Sequence, residues 1–512
     1  MPEIRNPATG ELLATVTHDS PADLEKTVAR ARAAQPAWAA LGVRERARHL
    51  RMVREFVVQN ADRISATIAD CTGKTLNDAL ATETFPAALA VGQYCKAIAR
   101  LMKPRRLGRS SILFFNKRSY LSHEPYGVIG IISPWNYPFG IPFHEVVAAL
   151  LAGNAVVLKV AGQAEPVGEL FDEMMRYAGL PDGIFSVIKM AGAAAGPAMI
   201  RSGIAKLFFT GSVAVGKQLM AEASEVLLPL SLELGGNDAM IVCDDANVKR
   251  AASGAVWGGL SNAGQSCGGV ERIYVYDKVY DEFMSRLDAI VAGLRHGVGL
   301  ESDIGSLTTE SQKQTVEEHI RDAVAKGARI RVASSAPENG YFHAAVVLED
   351  VTHEMDVMRH ETFGPVLAVM RVHSEDEAVR LANDSYLGLT ASVWTGSTKT
   401  AKRIAARLEA GAVTVNDHLM SHGMAETPWG GYKQSSVGRS HGGPGIYEVV
   451  RSKVVVHDTL HRLPRNIWWH PYSLSVYEGL KSGLVFLFGT GGFTRPAHLV
   501  RLVGFFLSRL RR

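Results

Sequence analysis

From about residue 126 the chain alternates short apolar runs with helical ones: Val128 to Ile132, Phe143 to Leu151, Ala155 to Val160, Val167 to Tyr177, Phe185 to Ile188, and Leu207 to Phe209. The strand-like runs lack a polar residue at every second position. Such strands are buried on both faces, which requires helices above and below a parallel sheet. This is the pattern of βαβ units and of a nucleotide-binding half. At 512 residues the chain exceeds the roughly 250–300 residues at which one hydrophobic core stops growing, and a second α/β stretch begins after Gly235. Near the N-terminus, Ser20-Pro21-Ala22-Asp23 predicts a helix start, with a hydroxyl cap, proline at the first helical position and an acid in the first turn.

Charge is informative only when divided along the chain. Residues 459–512 hold eight Lys/Arg against one acid, Glu478, so this segment is +7 while the preceding 458 residues are −3. A nucleic-acid surface would be expected on the body, and the body is slightly acidic. The basic character belongs to an appendage. Written at 100° per residue, Leu499, Leu502, Val503, Phe506 and Leu510 fall on one side of a helix, with Arg501, Ser508 and Arg512 on the other. That pattern fits an interfacial helix making peripheral contact with a membrane, and equally a helix docked on protein. The N-terminus has no apolar signal region, and no apolar run reaches the roughly 20 residues that span a bilayer. The four cysteines (Cys71, Cys95, Cys243, Cys267) are far apart, with no CxxC pair and no clustered histidines. Neither a disulfide scaffold nor a metal site is indicated, and a cytoplasmic location is expected.

One cysteine has unusual neighbours. Cys267 lies in Asn262-Ala263-Gly264-Gln265-Ser266-Cys267-Gly268-Gly269. Taken alone a free cysteine is a small core residue, but three glycines with Gln and Ser make a poor core segment and an accessible turn. A thiolate there is a candidate nucleophile. Glu233, 34 residues upstream in Leu232-Glu233-Leu234-Gly235-Gly236, is ambiguous alone; flanking leucines and a Gly-Gly turn suit a partly buried carboxylate acting as a base. Asn136, in Ser133-Pro134-Trp135-Asn136-Tyr137-Pro138, is either a turn residue or an oxyanion donor. The run Gly211-Ser212-Val213-Ala214-Val215-Gly216-Lys217 fits a P-loop spacing, but Gln218 stands where a P-loop needs Ser or Thr for Mg²⁺. Its strand–Gly–helix context suits a dinucleotide pyrophosphate.

Together these segments resemble the signature set of the NAD(P)-dependent aldehyde dehydrogenases, over roughly residues 4–458. The resemblance implies an α/β fold with a Rossmann-type cofactor domain (1–102 and 125–234), an α/β catalytic domain (235–449), a small β oligomerisation arm (103–124 and 450–460) that makes a homodimer or homotetramer, and a basic extension (461–512). It implies catalytic roles for Cys267, Glu233 and Asn136, with NAD or NADP held by Ser133, Trp135, Lys159, Gly211, Ser212, Gly216, Leu234, Glu361 and Phe363. No metal is implied. The implied reaction oxidises an aldehyde to its acid through a thiohemiacetal and a thioester on Cys267. The alternative from another class is a catalytically idle, membrane-associated scaffold of the same fold. Two departures stand out. Val160-Ala161-Gly162 follows Lys159 where the family commonly has Pro, a small residue and Glu, so the ribose-binding carboxylate is missing and NADP is permitted. In the late Gly-Gly-x-Lys-x-Ser element, Ser436 stands where glycine is usual. The aldehyde itself is not specified; Tyr137, Phe143 and Trp257 are expected near it, which favours an apolar or aromatic substrate.

Overall fold

The computed structural model describes residues 2–463, 466, 468–489 and 495–511, the last span without the side chains of 495, 510 and 511. One compact unit comprises residues up to 102 and 124–451; residues 103–123 and 452–511 form a second.

Two large sheets organise the first unit, beside two two-stranded ones. In the six-stranded sheet the order is Ser436–Val437, Leu230–Glu233, Lys206–Thr210, Val128–Ile132, Ala155–Lys159, Phe185–Val187. All pairs are parallel except that of Ser436–Val437 with Leu230–Glu233. The three central strands are buried at every residue, as their unbroken apolar sequence requires. The chain starts in the middle at Val128, winds outward through Ala155 and Phe185, then returns to the other side at Lys206. That reversal leaves a crevice at the carboxyl ends of neighbouring strands, the place where open α/β sheets bind ligands. The runs Phe143 to Leu151 and Val167 to Tyr177 lie inside the helices Gly140–Ala152 and Glu165–Tyr177. The predicted helix start at Ser20 is a complete capping box: Asp23 N–H donates to Ser20 Oγ, and Ser20 N–H donates to the Asp23 carboxylate.

The second sheet has seven strands, ordered Arg329–Ala333, Val346–Glu349, Val366–Val372, Val270–Tyr276, Asp238–Val242, Thr390–Trp394, Ala412–Val415. Only Arg329–Ala333 runs antiparallel to its neighbour. A four-residue link, Leu234 to Asn237, joins the last long strand of the first sheet to Asp238–Val242, so Glu233 ends one sheet where the other begins.

In the second unit, Arg105–Arg106, Lys117–Pro125 and Val450–Asp458 form a three-stranded sheet with Lys117–Pro125 in the middle. The extension is two helices, Leu474–Phe488 and Arg495–Arg511, packed on each other. Gly479 and Gly483 permit the close approach: a Cβ at either would meet Phe505 or Leu502. The expected face of the last helix is shifted. Leu502 and Phe505 turn inward with Val476, whereas Leu499 and Val503 are exposed, because the partner helix takes the stripe at 498, 502, 505 and 509. The side chains of Leu510 and Arg512 lie outside the described residues.

Candidate active site and cofactor cleft

Cys267 follows the helix Val248–Leu260 through a left-handed turn. Asn262, Ala263 and Gly264 all have positive φ, 54°, 52° and 74°. Two consecutive non-glycine residues there are strained, and such strain persists only where surroundings over-determine it. The surroundings are visible. The Asp78 carboxylate accepts from Ser261 Oγ and Asn262 N–H at 2.8 and 3.0 Å, and Asn262 Nδ2 donates to the main-chain carbonyls of Asn136 and Gln265, both at 3.0 Å. Gly236 comes so close that a Cβ on it would lie 2.1 Å from the Cys267 carbonyl oxygen, so the Gly-Gly link and the cysteine turn touch by backbone.

Asn136 is buried, and its Nδ2 donates to the Gln265 carbonyl at 3.1 Å, two residues before Cys267. One amide hydrogen is thereby used and the second is available for another acceptor. The loop carrying it is held by a buried ion pair that sequence reading missed. Lys74 Nζ donates to Glu83 Oε1 at 2.6 Å and to the Asn136 carbonyl at 2.7 Å, while Glu83 Oε2 accepts from Phe139 and Gly140 N–H, both at 2.9 Å. Both side chains are fully buried. Nothing local in the sequence links Lys74 to residue 136; only the tertiary fold does.

The thiol of Cys267 is pushed well above its ordinary range by burial, with Glu361, Asp238 and Glu233 adding repulsion and the Gly268 N–H partly offsetting it. Glu233 is buried at the end of its strand, with one carboxylate oxygen lacking a partner among the described residues. Burial raises its pKa well above the carboxylate range, Glu145 raises it further, and Arg439 and the Ser440 N–H oppose this. Glu145 is itself pushed up to about 8 by burial. The Cys267 pocket, about 170 Å³, is lined by Tyr137, Trp257, Ser266, His422 and Trp429, with Phe85, Leu89 and Met420 exposed at its rim. Neither Glu233 nor Asn136 lines it. Phe143, expected there, is instead in the core against Phe139 and Phe171, since its helix turns that face toward its neighbours. Among the described residues no Lys or Arg lines the pocket, and burial holds His422 down to about 4, hence neutral. His422 groups with His144 and His441, the rings tilted or edge-on to one another with centroids 4.0 to 6.0 Å apart.

At the crevice of the first sheet is a cleft of about 840 Å³. Its walls include Ser133 and Trp135 after Val128–Ile132, Lys159 at the end of Ala155–Lys159, and Gly211 and Ser212 after Lys206–Thr210. Ser212 caps the helix Val213–Ser224, its Oγ accepting from Val215 N–H at 3.3 Å, so a helix N-terminus with its positive end borders the cleft. Gly211 must be small, because a Cβ would meet the Phe209 ring at 2.5 Å. Gly216 and Leu234 do not line the cleft; they pack on each other and seat the helix on the sheet. Glu361 accepts from Gly236 N–H at 3.1 Å, and Phe363 packs edge-on to Trp135 at 5.4 Å. Phe363 has φ 52°, a conformation fixed by Glu271, whose carboxylate accepts from the Thr362 and Phe363 N–H at 2.9 and 2.8 Å.

The fit of a dinucleotide rests on groups in this cleft that are buried without a partner among the described residues: Ser133 Oγ, Thr210 Oγ1 and both oxygens of Glu165. Buried polar groups are normally paired, so four unpaired oxygens facing one cleft mark a ligand surface. Glu165 was missed in the sequence because it lies three residues beyond the expected position. It interacts electrostatically with Lys159 and is pushed up to about 7 by burial, so the cleft does have a carboxylate although Gly162 does not supply it.

A dinucleotide cleft at a sheet reversal, joined by a glycine link to a half-buried cysteine beside an apolar pocket, defines an oxidoreductase with a covalent thiol site. Residues 2–455 match the aldehyde dehydrogenase family, and the chain belongs to it. It is an NAD(P)-dependent aldehyde dehydrogenase, with NAD or NADP as cofactor. The chain is similar to the 4,4'-diapolycopene aldehyde oxidase of a Methylomonas species, 37% identical over 486 residues, covering 94% of this chain and 91% of that one. Among solved structures it is similar to a succinate-semialdehyde dehydrogenase from Burkholderia pseudomallei (35% identity, TM-score 0.85, 89% of this chain and 94% of that one). It is similar also to an NAD-dependent aldehyde dehydrogenase from Sinorhizobium meliloti (30%, TM-score 0.87, 92% of each). The Methylomonas match leaves 6% of the chain uncovered, fewer residues than 461–512 contain, so it extends into the basic extension.

Proposed function

We propose that the enzyme oxidises an apolar aldehyde, of long-chain or aromatic type, to its carboxylic acid through covalent chemistry on Cys267. Cys267 gives its thiol proton to water, and Sγ attacks the carbonyl carbon, forming the S–C bond and an oxyanion that the second Asn136 amide hydrogen and the Cys267 N–H hold. NAD or NADP, when bound, would supply the two-electron acceptor needed to oxidise this adduct to a thioester. Ser133, Lys159, Gly211, Ser212 and Glu361 would hold that cofactor. A thioester remains. Glu233 takes a proton from water, the hydroxide adds to the thioester, and the C–S bond breaks to release the acid and the thiol. The helix–sheet packing of Gly216 and Leu234 and the Phe363–Trp135 contact support these groups from behind.

The observation that carries the substrate class is the pocket wall. A carboxylate-bearing semialdehyde would meet no cation there, and an unpaired buried charge costs several kcal/mol. The rim of Phe85, Leu89 and Met420 continues the apolar surface outward, where a chain longer than the pocket would lie. The relative named for 4,4'-diapolycopene aldehyde fits this reading better than the one named for succinate semialdehyde. The test is a panel of octanal, benzaldehyde and succinate semialdehyde with both cofactors. Octanal or benzaldehyde should exceed succinate semialdehyde by about 100-fold or more in kcat/KM; a preference for succinate semialdehyde would sink the reading, and no turnover of any aldehyde would favour the idle scaffold. In Glu233→Gln a single burst of reduced cofactor should precede turnover slowed by about 10²–10⁴-fold.

We propose that the small sheet carries assembly. Val450–Asp458 is an edge strand with Val454 and Val456 exposed, and exposed apolar edges invite pairing. We expect a homodimer or homotetramer through it, measurable by light scattering.

A further inference from the structure

We propose that the C-terminal helical hairpin docks the enzyme on an anionic lipid surface. The two helices bury a narrow seam against each other, and each leaves a row of exposed apolar side chains outside it. On Leu474–Phe488 the residues Leu474, Tyr477, Leu484 and Phe488 are between 63% and 77% exposed; on Arg495–Arg511, Val500 is 72% exposed and Leu499, Val503 and Leu507 are 40–50% exposed. Their spacings, 474, 477, 484, 488 and 499, 503, 507, each trace one side of a helix. A monomeric surface seldom carries so many large apolar side chains together. Trp469 and Tyr472, 58% and 62% exposed, lie just before the first helix. Amphipathic aromatics of this kind settle at the boundary between hydrocarbon and water.

Charge decides between possible occupants. The segment 459–512 is +7. Lys481 and Arg501 are exposed beside the apolar positions, while Arg509 is turned inward to the Trp469 and Pro471 carbonyls. Pairing this face with the same face of a second copy would oppose two +7 segments, whereas anionic headgroups would neutralise them. No described helix is long and apolar enough to cross a membrane. The arrangement therefore suits a hairpin lying in the interface, its apolar side chains dipped below the headgroups. Similarity to the Methylomonas relative continues into this segment, past the end of the family match at residue 455.

The experiment is co-flotation of the full-length enzyme with vesicles of phosphatidylcholine alone or with phosphatidylglycerol, alongside two variants. The first, Leu484→Gln/Phe488→Gln/Val503→Gln, removes exposed apolar groups and keeps the charge. The second, Lys481→Glu/Arg501→Glu, inverts charge and keeps the apolar face. Octanal oxidation in solution serves as the folding control and should be unchanged in both. The enzyme should float with the anionic vesicles, at least about tenfold more weakly at 0.5 M salt, and each variant should lose about tenfold or more. Equal flotation of the first variant, or no flotation of the full chain, would overturn the proposal. So would a smaller assembly for the first variant in light scattering, since a second copy would then be what covers the face. Octanal turnover without vesicles is a separate readout, so failure here leaves the substrate assignment standing.

Discussion

In the cleft of the first sheet, Ser133, Thr210 and Glu165 present buried oxygens with no partner among the described residues, while the pocket at Cys267 is walled by Tyr137, Trp257 and Trp429, with no cation among its described lining residues. The two regions lie in one compact unit and prepare for opposite ligands. Unpaired polar atoms wait for a hydroxyl-rich, charged molecule; an apolar wall gains from a ligand that leaves water. The difference also separates recognition from reaction: Cys267 lines the apolar pocket, and burial raises both its thiol and the Glu233 carboxyl above their ordinary ranges.

The comparison predicts that the regions can be disabled independently. Cys267→Ala should lower aldehyde-dependent reduction of NAD or NADP by about 10⁴-fold or more, with cofactor affinity by calorimetry unchanged. Substantial residual activity would break the assignment of the site. Lys74→Met should act on the pocket side through folding: it leaves the Glu83 carboxylate buried without its cation, costing about 3–5 kcal/mol in urea unfolding. Lys74→Met/Glu83→Gln should recover part of that loss, because the orphan charge is gone.

A third test addresses the groups in between. Glu233 is a base only when deprotonated, and its folded pKa is raised, so hydrolysis of the thioester should accelerate as pH rises. Glu145, charged above about pH 8, adds repulsion. Glu145→Gln should therefore shift the rising limb toward lower pH, seen in single-turnover product release; an unmoved limb would separate Glu145 from the base.

The smallest effects belong to the cofactor cleft. A Cβ at Gly162 meets nothing within 4 Å, so Gly162→Glu is accommodated and its carboxylate should shift preference several-fold from NADP to NAD. Glu165 titrates near 7. It is neutral below and negative above, so the NADP-to-NAD ratio of the enzyme should fall as pH rises through 7, and Glu165→Gln should flatten that dependence. A ratio unaffected by both substitutions would show that neither residue faces the adenosine ribose.

Much of the first sheet was legible because burial on both faces leaves an unbroken apolar run. Val128 to Ile132 is a strand over those same residues, and the runs at 155, 185 and 207 are off by one or two residues at most. The Ser20 cap was legible because capping is local chemistry. Cys267 stood out for the glycines around it. Glu165 did not, because its place beside Lys159 depends on a turn of Gly162–Ala164 that shifts the register past the expected position. Phe143 was misplaced because composition marks a residue as apolar without saying which side of its helix faces a ligand.

The sequence by itself determined the alternation of strands and helices, the thiol in its glycine turn, and the separation of a −3 body from a +7 extension, since each is written in neighbouring residues. Tertiary structure alone decided the Lys74–Glu83 support beneath Asn136, the unpaired oxygens that line the cleft, and which face of the last helix is hidden. These depend on residues tens to hundreds of positions apart meeting in a low-dielectric interior. There partners, rather than residue types, set whether a charge is tolerated, a proton is held or an apolar face stays open.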